Sequence, residues 1–166
     1  MTINKIYHLK LMGKTKDDIP VISAHLQDSI VSVKDIFFLK NNRNFIMLVK
    51  RFMWEDIEKG VFRESKRIRC LVKFGEVIGV KSKNINQKNI KKRLECLMIK
   101  SNQNEDKSYK IDIFFSGGGI ITLISEAIEV IMEDLGKPWD TKHIPVHKIW
   151  MLNYLKILNR TLEKEN

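Results

Sequence analysis

The stretch Ser108–Gly136, SYKIDIFFSGGGIITLISEAIEVIMEDLG, decides the fold that the sequence predicts. Apolar and polar residues alternate up to Phe115, three glycines follow at 117–119, and a second apolar run covers 120–124. Alternation on both sides of a glycine-rich turn is typical of a β-hairpin, because glycine readily adopts the positive φ angles of tight turns. A strand rather than a helix follows the glycines, so the segment does not match a phosphate-binding loop.

Beyond this hairpin the sequence predicts an amphipathic helix that caps the sheet. Ser125 is a suitable N-cap, and Glu126 would favour the helix dipole in the first turn. Gly136 and Pro138 provide the signals that end a helix. The apolar stripe would consist of Ile124, Ile128, Ile131 and Leu135.

Upstream, the apolar period changes from helical to strand-like. Thr15, Asp17, Asp18 and Pro20 are typical of a helix start, and the helix is predicted to run to about Ser29. From there to residue 124, alternation predicts seven consecutive strands. We therefore predict an α+β fold: a curled antiparallel sheet or small barrel of about seven strands, capped by a C-terminal amphipathic helix as in pleckstrin-homology-like folds, with an N-terminal helix and an extra C-terminal helix.

The length of 166 residues fits one domain, which we expect over residues 1–147, followed by a helical extension over 148–166. One face of that extension carries apolar residues that could support an oligomer. No apolar run is long enough for a membrane span, and the first residues do not resemble a secretory signal, so a cytoplasmic protein is expected. The residues of that apolar face are Met151, Tyr154, Leu155, Leu158 and Leu162.

Cysteine and histidine spacing predicts neither a disulfide nor a metal site. Cys70 and Cys96 each lie in an alternating apolar run and are expected to be reduced core thiols. His143 and His147 have the spacing of helical metal ligands, but Pro145 between them argues against a helix there. We predict no metal and no cofactor.

The net charge of +10 is concentrated in one part of the chain. The basic segment, Lys59–Lys100, contains thirteen Lys and Arg and three acidic residues, and so accounts for the whole net charge. Such clustering attracts phosphates, although Lys at solvated positions often has no ligand. Phe74 is the only aromatic residue between 63 and 100, so base stacking is not predicted. The candidate residues for RNA or polyanion binding are Lys81, Lys83, Lys88, Lys91, Lys92 and Arg93.

The densest cluster of polar chemistry is the run Ser23–Ser29, SAHLQDS. On a helix His25 and Asp28 share a face, so the carboxylate could orient the imidazole as a general base. Because no nucleophile or oxyanion site is visible, an enzyme is only an alternative, and no catalytic residue is assigned. The leading interpretation is a non-enzymatic binding or adaptor module with a protein partner. Its predicted contact residues are His25, Gln27, Asp28, Trp54, Gly117, Gly118 and Gly119.

Several of these segments resemble an uncharacterised bacterial family, domain of unknown function 2948, found mainly in alphaproteobacteria. The resemblance covers roughly Lys5–His147 and is carried by the SAHLQD run and the triple-glycine hairpin, while residues 84–92 and the tail after 147 match no motif of the family. The family has no assigned reaction, so the resemblance implies no catalytic residue. The other matching segments are Leu9–Leu11, Arg51–Glu55, Phe74–Ser82 and Leu135–Trp139.

Overall fold

The structure is a computed structural model that describes residues 8–55 and 65–142. Within these ranges the chain forms ten β-strands, one α-helix and four short 3-10 turns. The strands and the helix are, in chain order, β1 (Lys10–Gly13), α1 (Ile19–Leu26), β2 (Ile30–Ser32), β3 (Ile36–Leu39), β4 (Asn44–Phe52), β5 (Lys66–Phe74), β6 (Val77–Lys83), β7 (Arg93–Gln103), β8 (Tyr109–Phe115), β9 (Ile120–Ser125) and β10 (Val130–Asp140). The 3-10 turns are Lys16–Asp18, Val33–Asp35, Lys40–Asn42 and Ser116–Gly118.

All ten strands join one antiparallel sheet, in the order β1-β10-β5-β4-β2-β7-β8-β9-β6, with β3 also paired to β4. The chain passes directly from β5 to β6 although these strands do not pair. Glu76 at this corner has a φ of +56°, and the Gly75 N–H donates to the carbonyl of Glu129 at 2.8 Å. β5 and β6 are far apart in the strand order of the sheet. The short connection between them therefore brings distant strands of the sheet close together.

Most of the buried apolar residues form one large hydrophobic core, and Phe52 and Trp54 form a second, small cluster. The large core takes alternate residues from the strands, as expected when one face of each strand is buried. Phe45 and Phe74, on paired strands, pack with ring centroids 6.3 Å apart. Ile22 and Leu26 of α1 join the same core and are almost completely buried. The sequence-predicted hairpin is confirmed, because β8 pairs with β9 from Tyr109 to Phe114 across the glycine turn.

The N-terminal helix is present, but it ends at Leu26 rather than at about Ser29, so Asp28 does not lie on it with His25. Pro20 lies in its first turn, where a missing N–H has no cost. Asp18 fixes the preceding turn, since its Oδ2 accepts hydrogen bonds from the backbone N–H groups of Lys14 and Thr15 at 2.8 and 3.0 Å. The helix ends at Leu26, and Asp28 then takes a left-handed φ of +60°, a conformation that Asp tolerates better than most residues.

The pleckstrin-homology-like fold class is wrong. The seven predicted strands exist as β3 to β9, but the region predicted as the capping helix contains β10, and the sheet has ten strands in the described ranges. Burial in β10 alternates, with Val130, Met132 and Asp134 inward. The same residues permit a helical or a strand period. The strand is formed because β10 is hydrogen-bonded on both sides, to β1 and to β5.

Ser125 accordingly does not cap a helix. Its side chain is fully buried, and its hydroxyl lies 3.2, 3.1 and 2.5 Å from the carbonyl oxygens of Gly75, Glu76 and Ala127. The hydroxyl therefore stabilises the β5–β6 corner against the end of β9. The extra C-terminal helix predicted after residue 147 lies outside the described residues. In the ranges that are described, no helix is long and apolar enough to cross a lipid bilayer.

Candidate functional site

The SAHLQD run anchors α1 to the sheet. The Ser23 hydroxyl accepts the Ile99 N–H at 2.8 Å, and the Asp28 N–H donates to the carbonyl of Cys96 at 2.8 Å. His25, Gln27 and Asp28 have 5, 7 and 1 % exposure. The predicted contact residues in this run are thus packed against β7 and β4, and their role in binding a partner stays a prediction.

His25 lies beside charged groups in the interior. Its Nδ1 donates to the carbonyl of Val21, one helical turn earlier, at 2.9 Å. Burial lowers the pKa of His25 below its usual value, the hydrogen bond to Val21 opposes this, and the positive charge of Arg51 lowers the pKa further. Neither of the two cavities described below includes His25. Burial favours the neutral form of the imidazole, and a role of His25 in binding or catalysis stays a prediction.

The charged groups near His25 form a buried ion cluster, defined as Arg51, Glu55 and Asp134. Nε and Nη2 of Arg51 donate to the two oxygens of Asp134 at 2.7 and 2.6 Å, and its Nη1 and Nη2 donate to Glu55 at 3.0 and 2.6 Å. The side chains of Arg51 and Asp134 are completely buried. Burial alone would lower the pKa of Arg51, but these hydrogen bonds outweigh burial and raise it. The cluster joins β4 to β10.

Trp54 is also an interior residue, with 6 % exposure. Its indole N–H donates to the carbonyl of Gln27 at 3.1 Å, at the end of α1. Its ring packs on Phe52 with centroids 4.7 Å apart. Trp54 therefore fixes the end of α1 against the end of β4.

The glycine hairpin is separate from this interior cluster. Gly117 and Gly118 have φ angles of +81° and +84° and are exposed, whereas Gly119 is buried. The Asn84 side chain donates to the carbonyl of Gly118 at 3.2 Å. A Cβ on Gly119 would approach the side chain of Ile85 to 3.1 Å, so this glycine permits close packing. The three glycines therefore shape the turn, and a role in binding stays a prediction.

The described residues also form a cationic cleft of about 730 Å³ on the outer face of the sheet. Its floor is a row of directly paired residues that crosses five adjacent strands, β7, β2, β4, β5 and β10. The row consists of Glu95, Ile30, Lys50, Arg69 and Leu135. The other residues that line the cleft are Arg67, Arg93, Gly136, Lys137, Trp139 and Thr141.

Five of these eleven residues are Lys or Arg and one is acidic, so the cleft carries a strong positive potential. Arg67 is the buried member of the set. Its Nη1 donates to the carbonyls of Asp28 and Lys50 at 3.0 and 3.1 Å, and its guanidinium lies 5.8 Å from the ring centroid of Phe52. Burial lowers the pKa of Arg67, and the Asp28 and Glu95 carboxylates oppose this. An arginine stays charged throughout.

An irregularity in β10 directs Trp139 toward the cleft. Leu135 pairs with Arg69 and Trp139 pairs with Arg67, so four steps along β10 match only two along β5. Gly136 lies in this interval with a φ of +72°. Such bulges bend a strand and redirect its side chains. They place an aromatic ring that is 36 % exposed beside the cations.

The structure divides the basic segment between different surfaces. Of the six residues predicted to bind a polyanion, Arg93 lines the cleft, whereas Lys81 and Lys83 lie exposed on the edge strand β6. The other predicted residues, Lys88, Lys91 and Lys92, are exposed in the connection between β6 and β7. Sequence reasoning missed Lys50, Lys137 and Trp139 as members of the cleft. No local signal identifies them, because strand pairing brings them together from distant parts of the chain.

A second cavity, of about 400 Å³, lies away from the cleft. Most of its lining residues are apolar in type, among them Phe38, Ile85 and Ile121. Cys70 and Cys96 are free and buried, as predicted, and burial together with the Asp28 carboxylate raises the pKa of Cys96 to about 12. Within residues 8–55 and 65–142, no group of three His, Cys, Asp or Glu residues is arranged to hold a metal ion.

A comparison with protein families matches residues 9–147 to the sequence model of a family described as "Protein of unknown function (DUF2948)". This match confirms the resemblance to an uncharacterised domain family. No curated protein and no solved structure matches the chain.

Proposed function

The chain belongs to this family of unknown function, and we propose that it is a binding module that holds an anionic partner in the cationic cleft. The observation that carries the proposal is the row of paired residues across five strands, flanked by further cations. Lys50, Arg69, Arg93 and Lys137 are exposed, so their charges are available to a ligand.

A concave arrangement strengthens the attraction that such charges exert. Walls of low dielectric around a cleft focus the field and raise the local concentration of oppositely charged ligands. The cleft volume of about 730 Å³ lies within the range of ligand-binding clefts. Glu95 at one end of the row is the only acidic lining residue among those described, so it leaves the cleft with a net positive charge.

Binding of inorganic polyphosphate at several salt concentrations tests the proposal. The double variant Arg69→Gln/Arg93→Gln removes two exposed cations of the cleft, and we expect it to weaken binding about tenfold or more and to flatten the salt dependence. The matched control Lys81→Gln/Lys83→Gln removes the same charge from β6, outside the cleft. The proposal fails if both double variants lose affinity equally, or if the wild-type protein binds no polyphosphate at low salt.

The earlier hypotheses relate to this proposal in different ways. Polyanion binding is retained, but we propose the cleft as its site, which shares only Arg93 with the six residues predicted from the sequence. An adaptor role with a protein partner and an enzyme that uses His25 and Asp28 stay predictions, as does the alphaproteobacterial origin. We also propose that the protein acts in the cytoplasm. Its free, buried Cys70 and Cys96 support this, because thiols stay reduced there.

A further inference from the structure

We propose that the anionic partner is a single-stranded nucleic acid, whose phosphates contact the cations of the cleft and one of whose bases stacks on Trp139. This inference rests on the proposed function and specifies its ligand. Single-stranded nucleic acids are held by positively charged grooves combined with aromatic side chains on which bases stack. The cleft provides both features on one sheet surface.

Trp139 is the residue of the cleft that favours a nucleic acid over polyanions that have no bases. Its side chain is 36 % exposed and lies in the lining of the cleft, next to its cross-strand partner Arg67. Arg67 is held by two backbone carbonyls and by the Phe52 ring, so its position beside Trp139 is fixed. Its charge adds to the positive potential beside the ring, while the exposed cations of the cleft are the ones that can contact phosphates.

The dimensions of the row favour an extended chain over a compact anion. The row crosses five strands, and a strand spacing of about 4.8 Å gives it a length of about 19 Å. Cations occur along this length on β7, β4, β5 and β10, at Arg93, Lys50, Arg69 and Lys137. A single phosphate group would meet few of them, whereas a polymer with a charge on each unit can meet all.

The arrangement also favours a single strand over a duplex. In a duplex both faces of each base are covered by neighbouring bases, so the ring of Trp139 could stack only at an end. In a single strand each base has an accessible face. Leu135, an apolar residue that is 39 % exposed in the floor of the cleft, offers further contact area for an unpaired base.

The test compares four ligands in parallel: a single-stranded RNA of mixed sequence, the corresponding DNA strand, the duplex of that DNA strand with its complement, and inorganic polyphosphate of similar charge. Stacking of one base contributes about 1–3 kcal/mol, so we expect Trp139→Leu to weaken binding of RNA, DNA or both by about 5- to 150-fold. The same variant should leave polyphosphate binding nearly unchanged. Trp139→Phe, which retains an aromatic ring, should restore most of the affinity. The RNA and DNA arms identify which nucleic acid binds more tightly.

Two results would overturn the inference while leaving the proposed function intact. One is polyphosphate binding that depends on Arg69 and Arg93 together with nucleic-acid binding that does not respond to Trp139→Leu. The other is equal affinity for a duplex and for its separated strands. Failure of the proposed function is different, since the wild type would then bind no polyphosphate at low salt, or the cleft and β6 double variants would lose affinity for it equally.

A measurement on the unaltered protein covers the case in which Trp139→Leu fails to fold. Ultraviolet crosslinking of a bound oligonucleotide, mapped by mass spectrometry, should place the crosslink on the peptide that contains Trp139. Crosslinks confined to the peptide with Lys88, Lys91 and Lys92 would overturn the inference.

Discussion

The sharpest prediction concerns the buried ion cluster and the variant Asp134→Ala. Asp134 accepts three hydrogen bonds: from Nε and Nη2 of Arg51 at 2.7 and 2.6 Å, and from the Leu9 N–H at 3.0 Å. Both charged side chains are completely buried. Removing the carboxylate therefore leaves the Arg51 guanidinium in the interior with Glu55 as its remaining carboxylate in the cluster.

The expected loss of stability follows from these contacts. Removing one partner of a buried ion pair typically costs about 3–5 kcal/mol, because the remaining charge is no longer compensated. Glu55 keeps its two hydrogen bonds to Arg51, and its side chain is 24 % exposed, so the charge stays partly neutralised. We therefore expect a loss near the lower end, about 3 kcal/mol. For a chain of this length that corresponds to a fall in the melting temperature of about 6–12 °C.

Chemical denaturation of the full chain measures this loss. Asp140→Ala is the matched control, since Asp140 is on the same strand and pairs with Lys66 at the surface, at 3.3 Å. Exposed ion pairs contribute about 0–1 kcal/mol, so the control should change little. If Asp134→Ala loses no more stability than Asp140→Ala, then Glu55 alone compensates the buried charge of Arg51. That result would refute the expectation that Asp134 is needed to compensate it.

A double variant distinguishes loss of the ion pair from loss of packing. Buried ion pairs can often be replaced by apolar residues of similar volume without loss of stability. Arg51→Met combined with Asp134→Leu should therefore be more stable than either single variant. Additive losses in this cycle would show that the two side chains do not depend on each other.

Three other predictions concern groups at the end of α1 and in the turns. Burial lowers the pKa of His25 in the folded protein, so the unfolded chain binds the proton more readily. The contribution of His25 to the free energy of unfolding should be complete above pH 6.5 and should fall at lower pH by at most about 1.4 kcal/mol per pH unit. His25→Gln should remove that pH dependence in urea titrations at several pH values. Trp54→Phe removes the donor to the Gln27 carbonyl and should cost about 1–3 kcal/mol, so an unchanged melting temperature would contradict a structural role. Gly117→Ala should cost about 1–2 kcal/mol through its φ of +81°, with Gly79→Ala, at an ordinary φ, as the control in thermal melts.

The sequence predicts local elements of this protein better than their arrangement. Strands β3 to β9 and α1 follow from local alternation and local turn signals. The error at β10 has a physical cause, because the spacing of Ile128, Ile131 and Leu135 fits a helix while that of Ile128, Val130 and Met132 fits a strand. Pairing with two neighbouring strands decides between them, and no local pattern reports such pairing.

The cleft was only partly predictable for the same reason. A cluster of charge along the chain is visible in the sequence, but the side chains that share a surface are set by the strand order. Lys50, Arg69 and Leu135 are direct neighbours across β4, β5 and β10 although they lie far apart in the sequence. Trp139 joins them through a bulge that depends on the local pairing. Trp139 lies outside the basic segment, so the aromatic content of that segment does not reveal it.

Three of the segments that carry the family resemblance, Leu9–Leu11, the SAHLQD run and Arg51–Glu55, take part in buried hydrogen bonds that extend to the cleft. Leu9 and Arg51 both donate to Asp134, from positions 125 and 83 residues away. Trp54, just after β4, donates a hydrogen bond to the carbonyl of Gln27 at the end of α1. The carbonyl of the next residue, Asp28, accepts a hydrogen bond from Arg67. Arg67 in turn lines the cleft. The backbone carbonyls at the end of the SAHLQD run therefore help to position Arg67, the buried cation among the described residues of the cleft.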